Sequence, residues 1–272
     1  MTEAAAYLVA GAAGAVLCSI VLVWRLRGDY ERRIHINWRG RPVPVVLADG
    51  LAAGSLGGVA VIAGVRLVPP RILAAMAVVA LIMLAAGSWD DLRGAEKARG
   101  FSGHLRALQG GGVTGGIVKL VAGGVAGLAA GLLVAGDLRH VAETALLVGL
   151  TANAVNLLDR APGRALKVSA AVAFALLVWG AQAWSLAATG MAVALVVCLP
   201  FDLRERAMLG DAGANPIGAV LGLGLAISLS ESGRIAALVV LAVLNLASER
   251  ISFSAVIERN KVLAWLDQIG RA

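Results

Sequence analysis

Long apolar runs separated by short polar segments cover almost the whole chain. A helix needs roughly 20 apolar residues to cross the hydrocarbon core of a bilayer, and nine runs approach or reach that length. Because lipid forces each segment to satisfy its own backbone hydrogen bonds, the runs predict helices, with the turn between the sixth and seventh near Trp184. The nine predicted spans are 4–24, 45–65, 72–88, 113–134, 141–158, 168–183, 186–200, 214–229 and 235–250.

The pattern therefore predicts an all-α fold, a polytopic integral membrane helix bundle of about nine transmembrane helices. Residues 1–251 form one transmembrane domain, since little chain is left for a soluble one. The segment 252–272 mixes apolar and charged residues in a way that predicts an amphipathic tail helix on the membrane surface. Its lipid-facing residues would be Ile257, Val262, Leu263, Trp265 and Leu266.

Composition supports a membrane protein, and the positions of the two Cys residues argue against Cys-based chemistry. Hydrophobic residues make up 59% of the chain and charged residues 15%, and the mean hydropathy is +0.84, whereas a soluble domain has about 25% charged residues. Cys18 and Cys198 lie inside predicted spans. This placement argues against a disulfide, a metal site or a catalytic thiol.

The distribution of basic residues predicts the topology. Threading nine spans places 19 of the 24 Lys and Arg residues in loops on one side of the membrane and four on the other. The positive-inside rule makes the richer side cytoplasmic, which puts the N-terminus outside and the C-terminus inside a plasma (inner) membrane. No basic domain surface remains to bind nucleic acid. Anionic lipid headgroups or an anionic substrate are the expected partners.

Acidic residues close or open three predicted spans on the cytoplasmic side. "GSWDDLRG" ends the third span with Asp90 and Asp91, "NAVNLLD" ends the fifth with Asp159, and "RERAMLGDAGANPIG" opens the eighth with Asp211. If these spans pack together, the acids converge and require a cation between them. Mg²⁺ is the natural candidate because it takes oxygen ligands and leaves room for water and phosphate.

Two Asn residues extend this pattern. Asn153, Asn156 and Asp159 repeat every three residues, which places them on one face of a helix. Each element has a simpler interpretation when taken alone: an Asp at a helix end is often a solvated cap, and an Asn in a span is usually an interhelical contact. Their common location on one side of the membrane favours a site.

Basic side chains near the acids are candidates for binding phosphate. Lys119 lies about one turn inside the fourth span, where a charge is a site hypothesis by default; Asp49 in the second span has the same status with less support. A guanidinium binds phosphate in a bidentate manner, which makes Arg160 and Arg164 further candidates. The loop 89–112 adds Lys97, Arg99, His104 and Arg106.

In combination and in this order, these motifs resemble the polyprenyl-phosphate N-acetylhexosamine-1-phosphate transferases. The resemblance rests on the motifs "DD", "NAVNLLD" and "LGDAGANPIG" and on the cytoplasmic segments "NWRGRPVP" and "KARGFSGHLRAL". It covers the chain from about residue 36 to the C-terminus. The resemblance implies transfer of a sugar-1-phosphate from a UDP-N-acetylhexosamine to polyprenyl (undecaprenyl) phosphate at the cytoplasmic face. It also implies UMP release, a requirement for Mg²⁺, a role in cell-envelope glycan synthesis and a possible homodimer.

The resemblance also implies roles for individual residues. Asp90, Asp91 and Asp211 would be catalytic, and Asp90 or Asp91 would bind or deprotonate the lipid phosphate. Asp91, Asp159 and Asp211 would bind the metal. Lys119 would contact phosphate, and Asn156 and Asp159 would line the nucleotide and metal site. Asn153, Arg160, Arg164 and His104, which are candidates from the residues themselves, complete the predicted substrate-binding set.

The sequence departs from the family pattern after Asp159 and leaves other functions open. The family usually reads N-L-x-D-G-x-D-G, and here Arg160 replaces the Gly and Pro162 the second Asp. A catalytically impaired relative that binds lipid phosphate or nucleotide as a regulator of envelope assembly is therefore the alternative. A small transporter or flippase is a third hypothesis, although no inverted repeat is evident.

Overall fold

The computed structural model describes residues 1–28, 33–93 and 114–271, apart from the side chain of Arg93. These residues form eleven helices and one short hairpin. In chain order the elements are α1 (Glu3–Leu26), β1 (Ile34–Ile36), β2 (Pro42–Pro44), α2 (Leu47–Val65), α3 (Pro70–Arg93), α4 (Gly115–Val134), α5 (Leu138–Leu158), α6 (Arg164–Trp179), α7 (Gln182–Leu203), α8 (Asp211–Ser228), α9 (Glu231–Ser248), α10 (Phe253–Arg259) and α11 (Lys261–Gln268).

Seven of the described helices are long and apolar enough to cross a membrane, namely α1 to α5, α7 and α9. The chain is therefore an all-α membrane protein, as the hydrophobic pattern predicts. Helices α6 and α8 lie at the sixth and eighth predicted spans, but α6 has 16 residues and α8 begins with the polar segment that contains Asp211 and Asn215. Nine membrane crossings therefore stay a prediction.

The predicted turn near Trp184 is wrong. Helix α6 ends at Trp179 and α7 begins at Gln182, so Trp184 lies inside α7. Its ring is fully buried, and its Nε1–H donates to the carbonyl of Val220 in α8 at 3.1 Å. A buried Trp needs a partner for its N–H group, and the partner here is on another helix.

Helix α8 lies at the centre of the bundle. Most of its residues are buried, and it packs against α3 and α5 and also contacts α6. Helices α1, α2 and α7 pack together beside it, and α4 packs against α3 and α5. Helix α9 rests mainly on α5 and has no buried residue. This arrangement brings the ends of α3, α4, α5 and α8 to one place.

The hairpin lies next to the start of α8. Strands β1 and β2 are antiparallel, with His35 opposite Val43. The strand continues to Val45, which pairs in parallel with Met208 just before α8. Asn37 donates to Glu205 at 2.6 Å and holds the hairpin to the same segment.

The predicted tail is amphipathic, but it is two short helices. Ser252 caps α10 and Asn260 caps α11 through side-chain oxygens that accept backbone N–H groups. Val262, Leu263, Trp265 and Leu266 are exposed, as expected for a surface that faces lipid.

Candidate functional site

The centre of the site is an ion-pair cluster contributed by three helices. Lys119, in the second turn of α4, places its Nζ 2.7 Å from Asp90 Oδ2 at the end of α3 and 2.7 Å from Asp211 Oδ2 at the start of α8. About a fifth of each of these side chains is exposed. We call Asp90, Asp91, Lys119 and Asp211 the acid–lysine cluster. The structure thus brings together residues from three motifs that lie far apart in the sequence.

Asp91 fixes the start of α8. Its two carboxylate oxygens accept the backbone N–H groups of Asp211 at 3.0 Å and Ala212 at 2.9 Å. The first N–H groups of a helix lack partners within the helix, so a carboxylate there is stabilising. Asp91 therefore acts as a helix cap supplied by a neighbouring helix.

Two glycines allow the helices to come this close. A Cβ on Gly87 would lie 2.3 Å from the carbonyl oxygen of Asp211, so α3 meets α8 with no side chain between them. A Cβ on Gly115 would lie 1.6 Å from Asp90 Oδ1, so α4 begins directly against that carboxylate. Small residues at helix contacts are the usual way in which membrane helices pack closely.

Asp159 lies at the end of α5 beside a second acid that sequence reasoning missed. Burial raises the pKa of Asp159 well above its usual range, and the charges of Asp202, Asp211 and Asp91 raise it further. Asp202 is itself buried in the last turn of α7 and accepts the N–H of Gly163 at 2.9 Å. The sequence signal that could have identified Asp202 is the motif "PFDLRER", which places an acid at the cytoplasmic end of the seventh predicted span.

The two Asn residues differ in their contacts. Asn153 donates to Asn245 of α9 at 2.5 Å, and Asn245 donates to the carbonyl of Leu150. This is the interhelical contact that was the simpler interpretation of an Asn in a span. The side chain of Asn156 is half-buried and has no hydrogen-bond partner among the described residues. Asn156 thus remains available to a ligand, whereas Asn153 has a partner within the protein.

The two predicted phosphate-binding Arg residues, Arg160 and Arg164, also differ in their contacts. Arg160 is exposed and its side chain pairs with none of the described residues. Arg164 is 5% exposed and binds both carboxylate oxygens of Asp267 in the tail, at 2.9 and 2.8 Å. The predicted contact of Arg164 with phosphate is replaced by a contact with a carboxylate of the same chain.

Other candidates lie elsewhere. His104, with Lys97, Arg99 and Arg106, lies outside the described residues. Asp49 at the start of α2 forms ion pairs with Arg25 at 2.7 Å and Arg33 at 3.1 Å. The charge of Asp49 is therefore explained by these ion pairs, which connect α2 to α1 and to the hairpin segment.

The donor set suits Mg²⁺ in part. Mg²⁺ often takes one or two protein carboxylates and completes its shell with water and phosphate, and Asp90 and Asp211 offer two adjacent carboxylates. In the described part of the chain, no group of three His, Cys, Asp or Glu side chains is placed to hold a metal ion. The predicted metal set of Asp91, Asp159 and Asp211 stays a prediction, and both oxygens of Asp91 accept amide N–H groups in this structure.

An apolar groove runs from the lipid-facing surface to the cluster. It has a volume of about 110 Å³ and lies between α2, α3, α7 and α8. Leu56 and Leu81, both more than half exposed, line its outer part, and Ala212 lines its inner end. Ala212 is the residue whose N–H group binds Asp91, so the groove ends beside the acid–lysine cluster. His35 also lies beside the acid–lysine cluster, with its Nε2 3.1 Å from the carbonyl oxygen of Asp91. The position of His35 in the sequence did not predict this contact.

No protein-family model matches this chain, and no curated protein matches it either.

Proposed function

We propose that this protein transfers a sugar-1-phosphate from a UDP-N-acetylhexosamine to polyprenyl phosphate at the cytoplasmic membrane face. The observation that carries the proposal is the acid–lysine cluster at the inner end of an apolar groove. A polyprenyl phosphate has a long apolar tail and one anionic headgroup. A groove open to lipid that reaches Ala212, the residue next to Asp211, suits that combination.

The proposed reaction exchanges one diphosphate for another. An oxygen of the lipid phosphate attacks the phosphorus that carries the sugar and forms a new P–O–P linkage. The bond from that phosphorus to the bridging oxygen breaks, and UMP leaves with this oxygen and its electron pair. Because similar bonds form and break, catalysis consists mainly of positioning and charge neutralisation.

The chain's own residues can share these tasks. Lys119 offsets the negative charge that gathers when two phosphates meet. Asp90 is the proposed acceptor of a proton from the lipid phosphate, because both oxygens of Asp91 are engaged by α8. Asn156 and Arg160, whose side chains are not paired within the described structure, are the proposed nucleotide contacts. Mg²⁺, which Asp211 would hold, would supply Lewis-acid stabilisation of the transferred phosphoryl group.

The test is UMP release by the purified protein. The protein in detergent receives undecaprenyl phosphate, Mg²⁺ and one of a panel of UDP-N-acetylhexosamines. We expect release with at least one sugar, and we expect Asp211→Asn to lower the rate by about 100-fold, the usual cost of losing one electrostatic contact in a transition state.

The matched control is Asp137→Asn. Asp137 is an exposed acid that caps α5 at its other end, and Asn can keep that cap. We expect the control to release UMP at the wild-type rate. Equal rates in wild-type protein and Asp211→Asn would contradict the proposal.

One observation favours a binding protein as the second candidate. Within the described residues, Asp90 and Asp211 share the single ammonium of Lys119, and Asp91 accepts backbone N–H groups. Each carboxylate of the cluster thus has a partner from the protein itself. UDP or lipid-phosphate binding without turnover of any sugar nucleotide would favour the regulator.

A further inference from the structure

The C-terminal tail folds back on the turn that follows α5. We call the contacts between Ser254, Asp267 and Arg271 of the tail and the segment 162–167 the tail clasp. They join two parts of the chain that are about 100 residues apart. The segment 160–164 is also where the sequence departs from the family pattern.

Arg164 is the centre of the tail clasp. Its guanidinium binds Asp267 with two hydrogen bonds, and its NH1 donates to Ser254 Oγ at 2.9 Å. Both tail helices are therefore attached to the first residue of α6. Arg164 is 5% and Asp267 9% exposed, so the pair is almost fully withdrawn from solvent. A bidentate pair of this kind fixes orientation as well as distance.

Two further cations complete the tail clasp. Lys167 Nζ donates to the carbonyls of Leu266 and Asp267 at 2.9 and 2.6 Å, at the end of α11. Arg271 donates to Asp267 Oδ1 at 2.7 Å and, through Nε, to the carbonyl of Pro162 at 2.9 Å. Arg271 thus connects the tail carboxylate directly to the turn.

The opposite side of the turn is held by α7. Gly163 has a φ of +71° and donates its N–H to Asp202 Oδ2 at 2.9 Å. A Cβ at this position would lie 2.4 Å from Leu203. The turn is therefore clamped between the tail and the end of α7, and Asp159 is the residue from which this turn begins.

We propose that Asp267 is a positioning residue that holds the turn 159–164, and with it Arg160, a proposed nucleotide contact, in the orientation that the transfer needs. This role rests on the proposed function. It also gives a structural reason for Arg164, since a substrate phosphate is not needed to explain a guanidinium whose partner is in the tail.

The experiment compares Asp267→Asn, Asp267→Glu and the control Glu258→Gln in the full chain. Glu258 is an exposed acid of α10 whose side chain makes no hydrogen bond or ion pair with another described residue. The first readout is hydrogen exchange of the amides of residues 160–164, which needs no substrate. The second is UMP release, with kcat and the KM for undecaprenyl phosphate determined separately.

We expect Asp267→Asn to speed exchange in the turn by about 10-fold and to leave exchange in α1 and α2 unchanged. We expect kcat to fall by about 10-fold or more, since small displacements of a positioned group are costly, while KM for the lipid stays within about twofold. Asp267→Glu should restore much of kcat, and Glu258→Gln should match wild-type protein.

Each other outcome overturns the proposal in a recognisable way. Unchanged exchange in Asp267→Asn shows that the tail does not order the turn, whatever the activity. Faster exchange with unchanged kcat shows that the tail clasp is only structural. Absence of UMP release by the wild-type protein overturns the proposed function, and the role of Asp267 in it, while the exchange data still decide whether the tail orders the turn.

Discussion

Lys119 is the one side chain of the acid–lysine cluster that carries a positive charge. A single ammonium lies 2.7 Å from carboxylates on two different helices. Removing one partner of a largely buried ion pair leaves an uncompensated charge, which costs far more than the pair itself contributes. The two Asp residues therefore need a cation, and Lys119 is the cation that the structure provides.

Lys119→Met is expected to lower the free energy of unfolding by about 3 kcal/mol. Mg²⁺ should then offset part of this loss, because Asp90 and Asp211 would become two adjacent carboxylates without a counter-charge. The measurement is the midpoint of thermal unfolding in detergent, with Mg²⁺ compared with NaCl at equal ionic strength. The increase caused by Mg²⁺ should be larger in Lys119→Met than in wild-type protein.

The double variant Lys119→Met/Asp90→Asn is the control for this metal effect. It removes one of the two carboxylates, so Mg²⁺ should no longer raise the unfolding midpoint. An equal effect of Mg²⁺ on the single and double variants would argue against metal binding by Asp90 and Asp211.

At the scale of residues, the sequence predicted which acids meet but not all of their partners. Asp90, Asp91 and Asp211 converge because helix ends on one side of a bundle must share a small area. The partner of Arg164 could not be predicted, since Asp267 is 103 positions away and no local pattern links them. The metal role expected for Asp91 stays a prediction, and the two N–H groups of α8 that its carboxylate accepts were not indicated by the sequence.

At the scale of elements, the site depends on how closely α3 and α8 approach. Gly87→Ala would place a Cβ 2.3 Å from the carbonyl oxygen of Asp211 and 2.7 Å from the nitrogen of Ala212. Because these are backbone atoms, the helices must move apart. We expect a loss of about 1–3 kcal/mol in the free energy of unfolding and a matching loss of UMP release, both measured on the purified protein.

Gly124→Ala provides the comparison within a neighbouring helix. Nothing lies within 4 Å of a Cβ at Gly124 in α4, and Ala favours a helix over Gly by up to about 1 kcal/mol. This variant should therefore be as stable as wild-type protein or slightly more so. If Gly124→Ala were as damaging as Gly87→Ala, the close approach of α3 and α8 would not be the cause.

Helix positions were predictable from the sequence, whereas some boundaries were not. Apolar runs of suitable length located α1 to α9, because lipid imposes one requirement on every span. The turn near Trp184 was misplaced because an aromatic residue can lie at an interface or in a core. Its full burial and the contact of its N–H group with Val220 place Trp184 in the core.

At the scale of the whole molecule, contacts between helix ends divide the bundle into two sides. On one side Gln182 at the start of α7 donates to Glu3 at the start of α1, and Arg139 of α5 binds Glu231 of α9 at 2.6 Å. The acid–lysine cluster and the tail clasp lie at the opposite helix ends. The nine crossings in alternating directions stay a prediction.

Gln182→Cys tests the side of the membrane on which α7 begins. Gln182 donates to Glu3, so the predicted topology, with the N-terminus outside, places position 182 outside the cell as well. A membrane-impermeant maleimide should then label Gln182→Cys in intact cells, whereas Glu258→Cys should react only after the membrane is opened. Cys18 and Cys198 are fully buried, so they should add little background. Labelling of position 182 only after lysis would place the start of α7, and with it Glu3, on the cytoplasmic side and would contradict the predicted topology.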